Sequence, residues 1–341
     1  MSKLDLISKL DFDSISERVD FKYFCDKRIL ITGGAGMIGS WIATSIVLGT
    51  NLLPNQPASV HVISRRSNPD NLTQINDFSG FKYIQGSVVN SSLKDYDLII
   101  HAASAASPVK FEAIETMHAV NSGVINNLVK NSPKLDQLVF ISTGEVYGRH
   151  APLMVKESFQ GSIDPALHRS SYPISKLAAE IEVRNAAAAY SFNPGIIRLF
   201  HSFGPGVDSQ DGRAFADFIW SAAKNKTINL LTNGTQIRSL LYLEDAIVGI
   251  LKVITQRFAD PINVGSHIPI TVRELAHKIS IIAGVEYKTN DYKPENNYEL
   301  SPNNIMVPSN ELLKSLGWEQ LINLDETIVR TLDWCKNKLN S

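Results

Sequence analysis

Gly33-Gly-Ala-Gly36-Met-Ile-Gly39 places glycines at i, i+3 and i+6. The apolar run Lys27-Arg-Ile-Leu-Ile-Thr-Gly33 reads as a short buried strand entering this turn, and Ile38 to Leu48 reads as a helix leaving it. Strand, glycine turn and helix in this order constrain the chain more than any other feature. A side chain at the glycines would hold the backbone away from a pyrophosphate, and a helix start offers unpaired N–H groups and partial positive charge to an anion. An ordinary strand–helix turn is the alternative, and the rest of the chain weighs against it. Val60–Ser64, Phe81–Ile84, Leu98–His101, Leu138–Ser142 and Gly195–Phe200 read as five further strands. Helical stretches at about 111–131 and at Tyr172–Tyr190 lie between the later ones. Short apolar strands alternating with helices predict a parallel sheet covered on both faces.

The expected fold is therefore α/β, a Rossmann-type doubly wound sheet with a smaller C-terminal lobe. Residues 1–26 read as an N-terminal extension lying on what it precedes. Residues 27–200 read as the dinucleotide-binding domain, its sheet completed by segments near 239–265. Residues 201–341 read mainly as a substrate-binding lobe, with a Gly-rich loop at 203–213, a helix, hairpin-like strands and a Pro/Asn-rich stretch at 289–304.

Composition narrows the class. Lys and Arg total 33 against 34 Asp and Glu, so the basic excess that nucleic-acid or anionic-membrane binding needs is missing. No run approaches the ~18 apolar residues of a membrane span, and charged residues through positions 3–20 leave no apolar signal core. The two cysteines, Cys25 and Cys335, form no metal-ligand pattern or disulfide framework. A cytoplasmic, metal-free protein is the expectation.

Cofactor choice is read where the second strand ends. An acidic residue there suits the 2′-hydroxyl of NAD. This chain has Ser64-Arg65-Arg66-Ser67 and no carboxylate until Asp70. Two guanidinium groups suit a 2′-phosphate, so NADP(H) is favoured over NAD(H). A solvated surface pair is the alternative.

Tyr172-Pro-Ile-Ser-Lys176 places a phenol and an ammonium at i and i+4, on one helix face. Pro173 requires that helix to begin near Ser170–Ser171. A nearby cation lowers a phenol's pKa from about 10, which fits it to exchange a proton with a carbonyl oxygen. Tyr23 and Lys27 share the spacing but precede the first strand, on the wrong side for the sheet's C-terminal edge. Ser142-Thr143-Gly144-Glu145-Val-Tyr147-Gly148 ends the fifth strand at that edge. Thr143 can donate to the same oxygen, or act only as a cap.

TGGAGMIG, HAASAASP, STGEVYG, YPISK, RLFHSFGPG and GTQIRSLLYLED, in this order over about 27–335, resemble the extended short-chain dehydrogenase/reductases of the nucleotide-sugar epimerase/dehydratase family. Sugar-nucleotide 4,6-dehydratases and UDP-glucuronate decarboxylases are the nearest in texture. The resemblance implies Thr143, Tyr172 and Lys176 as the catalytic set, with Glu145 as an accessory base or a structural carboxylate. It implies Gly33, Gly36, Met37, Ile38, Gly39, Arg65, Arg66, Ala102, Ala103, Tyr172 and Lys176 at the cofactor. It implies Arg238 on the diphosphate of a nucleotide-diphosphate sugar, an ion pair of Arg238 with Glu244 being the alternative; Arg213 and His201 are further substrate-binding candidates, with a histidine that only hydrogen-bonds in place as the alternative for His201. It also implies a homodimer built through the helix after Tyr172.

Three departures bear on the reaction. The dehydratases resemble one another in a Thr-Asp-Glu triplet whose Asp expels the C6 hydroxyl; Gly144 stands there and has no proton to give. The decarboxylases resemble one another in a basic residue before a C-terminal Leu-Gly-Trp, and Asn303–Ser309 holds none. His201 replaces an Asn after the sixth strand. The expected reaction is NADPH-dependent reduction of the C4 keto group of an NDP-4-keto-6-deoxyhexose, as in surface polysaccharide synthesis. A cofactor-recycling dehydratase, decarboxylase or epimerase is the alternative, and a non-catalytic NADP sensor ranks behind both.

Overall fold

The computed structural model describes residues 5–67, 69–104, 114–289 and 304–340. Helix α1 (Lys9–Arg18) and a 3-10 turn at Phe21–Phe24 precede β1 (Arg28–Thr32), which leads into α2 (Met37–Asn51). Strands β2 (Ser59–Ser64), β3 (Phe81–Gln85) and β4 (Leu98–His101) follow. Helices α3 (Ile114–His118) and α4 (Ile125–Lys130) flank a π-helical turn at Ala119–Gly123. Then come β5 (Gln137–Thr143), α5 (Ser171–Tyr190), β6 (Asn193–Leu199) and β7 (Ser202–Phe203). The rest holds α6 (Ala214–Ala223), β8 (Ile228–Leu230), β9 (Ile237–Arg238), β10 (Leu241–Tyr242), α7 (Leu243–Thr255), β11 (Pro261–Val264) and β12 (Ile270–Thr271). It closes with α8 (Val272–Ala283), β13 (Tyr287–Thr289), β14 (Ile305–Met306), α9 (Glu311–Ser315) and α10 (Leu324–Asn340).

Seven strands form one parallel sheet in the order β11-β6-β5-β4-β1-β2-β3. The chain steps outward from β1 to β3, then returns to the other side of β1 at β4. That reversal opens a crevice at the C-terminal ends of β1 and β4, where α/β sheets bind ligands. Ile29, Leu30 and Ile31 of β1 and Ile99 and Ile100 of β4 are fully buried, as central strands covered on both faces must be. Each such side chain contributes roughly 1.5–3 kcal/mol by burial. On one face α2 packs beside α7, and both helices contact the strands. On the other, α5 buries Ala179, Val183 and Ala186 against the strands. Its opposite side exposes Ile174, Leu177 and Ile181.

Helix α5 begins at Ser171 with Ser170 as its N-cap, so Pro173 sits in the first turn, where its missing N–H costs nothing. The stretch expected as one helix over 111–131 differs. Residues 111–113 lie outside the described residues, and the remainder is broken by the π-helical turn. Two side chains bond at that turn: His101 Nε2 meets the carbonyls of Val120 and Asn121 at 3.0 and 3.3 Å, and Asn121 Nδ2 donates to Ser175 at 2.9 Å.

Helices α6, α8 and α10 pack around Phe203, Phe215, Phe218, Ile219, Leu275, Ile279, Ile328 and Leu332 to form the lobe beyond the sheet. The short strands there are not hairpins. β7 pairs with β10, β8 with β13, and β9 with β12 and β14, each across other elements. Residues 290–303 of the Pro/Asn-rich stretch lie outside the described residues.

Helix α1 rests on α7. Arg18 pairs with Glu244 at 3.2 Å and Asp245 at 2.8 Å, and Arg330 of α10 pairs with Asp11 at 2.5 Å and Glu244 at 3.3 Å. The carboxylates are buried, so removing one arginine would strand a charge away from water. Cys25 and Cys335 are both free and buried. No helix of the described residues is long and apolar enough to cross a membrane.

Candidate active site

The glycine turn sits in the crevice. Gly33 has φ +67°, and a Cβ there would lie 2.6 Å from Ala103 Cα. A Cβ on Gly39 would lie 2.6 Å from the Gly33 carbonyl oxygen. Any side chain at either place would open the turn. Gly36 is the N-cap of α2 and has no side chain to take up the first N–H groups, so those of the Met37–Ile38 turn are available to an anion. A bare backbone loop at a helix start, pressed against Ala102 and Ala103 from β4, fits the pyrophosphate of a dinucleotide.

Three buried groups fix the β4 side of this cradle. His101 Nε2 faces only carbonyls, so it carries the proton, and Nδ1 accepts from Thr32 Oγ1 at 2.6 Å. Thr32 Oγ1 in turn accepts from the Ala103 N–H at 3.2 Å. Burial, with the Lys176 charge adding to it, pushes the His101 pKa down to about 4 and keeps the ring neutral. The sequence reading did not single out His101, Thr32 or Asn121.

Arg65 and Arg66 follow β2 at the same edge. Arg66 is paired with Asp208 at 2.9 Å, across 142 residues of chain. Asp70, the carboxylate nearest in sequence, instead takes Lys338 at 2.7 Å.

Thr143 ends β5, and Glu145 follows in a 3-10 turn whose N–H donates to Thr143 Oγ1 at 3.2 Å. The Tyr172 phenol shares hydrogen bonds with the hydroxyls of Thr143 and Ser104. Ser175 donates to the Tyr172 carbonyl at 2.8 Å and accepts from Asn121, tying the start of α5 to the π-helical turn. Burial, then the Glu145 carboxylate, raises the Tyr172 pKa to about 12; its two hydrogen bonds and the Arg213 charge oppose this.

Lys176 is one turn along α5 from Tyr172. Its Nζ donates to the Ile141 carbonyl at 2.8 Å and lies 4.6 Å from the Phe140 ring centroid. Burial lowers its pKa to about 7, with Glu180 opposing. Among the charges near Tyr172, the Arg213 guanidinium favours the phenolate.

Beneath the site, Glu180 accepts from Ser142 at 2.6 Å and from both arms of Arg198 at 3.1 and 2.8 Å, and Arg198 donates to the Tyr147 hydroxyl at 2.9 Å. These bonds hold β5, β6 and α5 in register below the reacting groups.

A cavity of about 450 Å³ lies between the sheet edge and the lobe. Thr143, Glu145, Tyr172, Lys176, Ile38 and Ala102 line it from the sheet, and His201, Arg213 and Arg238 from the other side. Arg213 is held bidentately by Asp211 at 2.5 and 2.6 Å, its guanidinium 4.9 Å from the Phe215 ring centroid. Arg238 donates to the carbonyls of Ile237 and Asn304 at 2.8 and 3.3 Å. Burial, with Arg169 adding to it and Glu145 opposing, lowers its pKa to about 10. Glu244 is engaged by Arg18 and Arg330, so the ion pair considered for Arg238 is not formed. His201 is held neutral by burial and by Arg238, Arg213 and Arg169; its buried Nδ1 has no partner among the described residues. Its pKa lies well below the ordinary value.

The structure thus gathers Thr143, Glu145, Tyr172, Lys176, His201, Arg213 and Arg238 around one cavity, while the glycine turn and Arg65–Arg66 follow β1 and β2 at the same sheet edge. Asn303 and Ala105–Pro108 lie outside the described residues. Tyr23 and Lys27 form a cation–π pair at 4.7 Å, and the Tyr23 hydroxyl donates to Gln137 at the start of β5, the opposite edge of the sheet.

Residues 29–265 match the NAD dependent epimerase/dehydratase family. UDP-glucuronic acid decarboxylase 5 of Arabidopsis thaliana is 29% identical over 311 residues, 89% of this chain and 88% of that protein. The structure of Pal from Bacillus thuringiensis superposes with TM-score 0.77 at 26% identity, covering 91% of this chain and 99% of that one. The UDP-glucuronic acid 4-epimerase of Bacillus cereus, solved with UDP-glucuronic acid and NAD, gives TM-score 0.77 at 21% identity, covering 91% and 99%.

Proposed function

The chain belongs to the NAD dependent epimerase/dehydratase family, and on that premise we propose that it reduces the C4 keto group of a nucleotide-diphosphate-linked 4-keto-6-deoxy sugar, such as dTDP-4-dehydro-6-deoxyglucose, with NADPH as the reductant. One observation carries the choice of reaction. A Cβ at Gly144 would lie 2.6 Å from the Phe200 ring, so an aromatic side chain fills the space in which an elimination acid would stand. Thr143 and Tyr172 remain in place beside it.

NADPH, when bound there, would supply the hydride for C4. Tyr172 supplies the proton to the C4 oxygen: with a pKa near 12 it is protonated at neutral pH, the state an acid requires. Thr143 orients that oxygen. Arg213 stabilises the phenolate left behind, and Lys176 steadies the nicotinamide ribose. Arg238 takes the diphosphate as a rigid donor fork, and His201 Nδ1 is open to a sugar hydroxyl. Arg65 and Arg66 support the choice of NADPH. The apolar stripe Ile174, Leu177 and Ile181 on α5 supports pairing of two copies, a surface of this kind being a recurring mark of association.

A cofactor-recycling 4-epimerase or decarboxylase is the second reading, favoured by Glu145 in the cavity wall. Purified protein and NADPH offered a panel of nucleotide sugars, with enzymatically made 4-keto-6-deoxy forms included, separate the two. The proposal predicts NADPH loss only with the keto sugars, one for each molecule reduced. Turnover of ordinary NDP-hexoses or uronates without net cofactor change would replace it with the second reading.

A further inference from the structure

The loop after β7 reaches back over the cofactor side of the sheet, and it is fixed there. Trp41 Nε1 of α2 donates to the Pro205 carbonyl at 2.8 Å, and Trp220 Nε1 of α6 donates to the Val207 carbonyl at 3.2 Å. Pro205, Gly206 and Val207 are buried. The next residue, Asp208, is thus set by backbone that two indoles hold. One oxygen of its carboxylate, Oδ1, takes the Gln210 N–H at 3.0 Å. The other, Oδ2, accepts from Arg66 Nη2 at 2.9 Å. Both side chains are about half exposed, 51% for Arg66 and 44% for Asp208. On the far side of Arg66, the Tyr83 hydroxyl donates to the carbonyls of Ser64 and Arg66, which fixes the backbone from which the arginine springs.

We infer that Asp208 sets the cofactor preference by holding Arg66 in a pair that a 2′-phosphate must break and a 2′-hydroxyl leaves standing. The inference rests on the proposed placement of the adenosine ribose at Arg65–Arg66. A phosphate is the stronger partner for the guanidinium, through charge-assisted and often bidentate bonds. Taking it leaves the Asp208 carboxylate unpaired beside a second negative group, and the rigid loop gives that carboxylate little freedom to retreat. Asp208 therefore discounts the advantage that Arg66 gives NADPH and places the two cofactors closer in affinity than the Arg65–Arg66 pair alone would.

Fluorescence titration of NADPH and NADH binding to the wild type, Asp208→Asn, Arg66→Ala and the double variant tests this without reference to turnover. Asp208→Asn should tighten NADPH about three- to tenfold at low ionic strength, from an ion pair no longer broken and one repulsive charge removed. NADH should change by less than about twofold, and the NADPH gain should shrink with added salt. Arg66→Ala should weaken NADPH about tenfold, as loss of a charged hydrogen bond does, and in that background Asp208→Asn should lose its effect. If Arg66→Ala leaves NADPH binding unchanged, the placement of the cofactor itself falls. If Arg66→Ala weakens NADPH but Asp208→Asn does not tighten it, the role of Asp208 alone falls. An equal gain with and without Arg66, or an equal gain for NADH, also overturns that role, because the effect would then not pass through the pair.

Discussion

Gly144→Ala is the smallest change that tests why this site lacks an elimination acid. A methyl group at residue 144 would stand 2.6, 2.7 and 2.8 Å from Cζ, Cε1 and Cε2 of Phe200, about 1 Å inside ordinary contact. The ring cannot step aside freely. Phe200 is only 4% exposed and stacks on Tyr147 with centroids 6.2 Å apart. A Cβ on Gly265 would lie 2.7 Å from Phe200 Cβ. Gly144 leaves room for the ring and Gly265 for the base of the same side chain. Forcing a methyl group into such a place costs about 1–3 kcal/mol. Residue 144 does not have positive φ, so the replacement also restricts the unfolded chain, which offsets about 0.4–1 kcal/mol. Urea denaturation should show a net loss of about 1–2 kcal/mol for Gly144→Ala. In a Phe200→Leu background the same change should cost less by more than about 0.5 kcal/mol, the signature of a direct contact. Gly144→Asp should be less stable still and should eliminate no water from an NDP-hexose. A Gly144→Ala variant as stable as the wild type, or an equal cost in both backgrounds, would refute the idea that Phe200 occupies the acid's place.

Tyr172→Phe should lower keto-sugar reduction by about 10²–10⁴-fold, the usual size of a general-acid contribution, while calorimetry finds sugar-nucleotide affinity little changed. His101 stays neutral in the folded protein down to about pH 4, whereas in the unfolded chain it gains a proton below 6.5. Acid therefore favours unfolding through that window, and stability should drop by about 3 kcal/mol more in the wild type than in His101→Gln between pH 7 and 4, measured by urea titration at each pH. Ile181, 54% exposed on the apolar face of α5, should be covered in a dimer; Ile181→Asp should shift light-scattering mass to that of one chain with cavity residues unaffected.

The sheet was legible because central strands buried on both faces must be short apolar runs, as at Ile29–Ile31 and Leu98–Ile100. The glycine turn was legible because only glycine tolerates the approach of Ala103. The start of α5 followed from Pro173. What the sequence hid depends on contacts between distant segments. The carboxylate facing Arg66 is Asp208 rather than a neighbour of β2, and nothing local marks it. The π-helical turn carries helix-compatible residues and is distinguished only by side chains from β4 and α5 that bond to it. Lys176 kept the expected spacing, yet its partner is a carbonyl of β5, which no spacing rule contains. The lobe's strands, two or three residues each, are too short to display a period.

Net reduction at C4 is the central claim, and isotope transfer tests it most directly. NADPH carrying deuterium at the transferred position of its nicotinamide is incubated with the protein and an NDP-4-keto-6-deoxy sugar, and the sugar product is read by mass and proton spectra. The account predicts one deuterium per product, at C4, with an equal amount of NADP formed. A product without deuterium, or an altered sugar with no NADP formed, would contradict it.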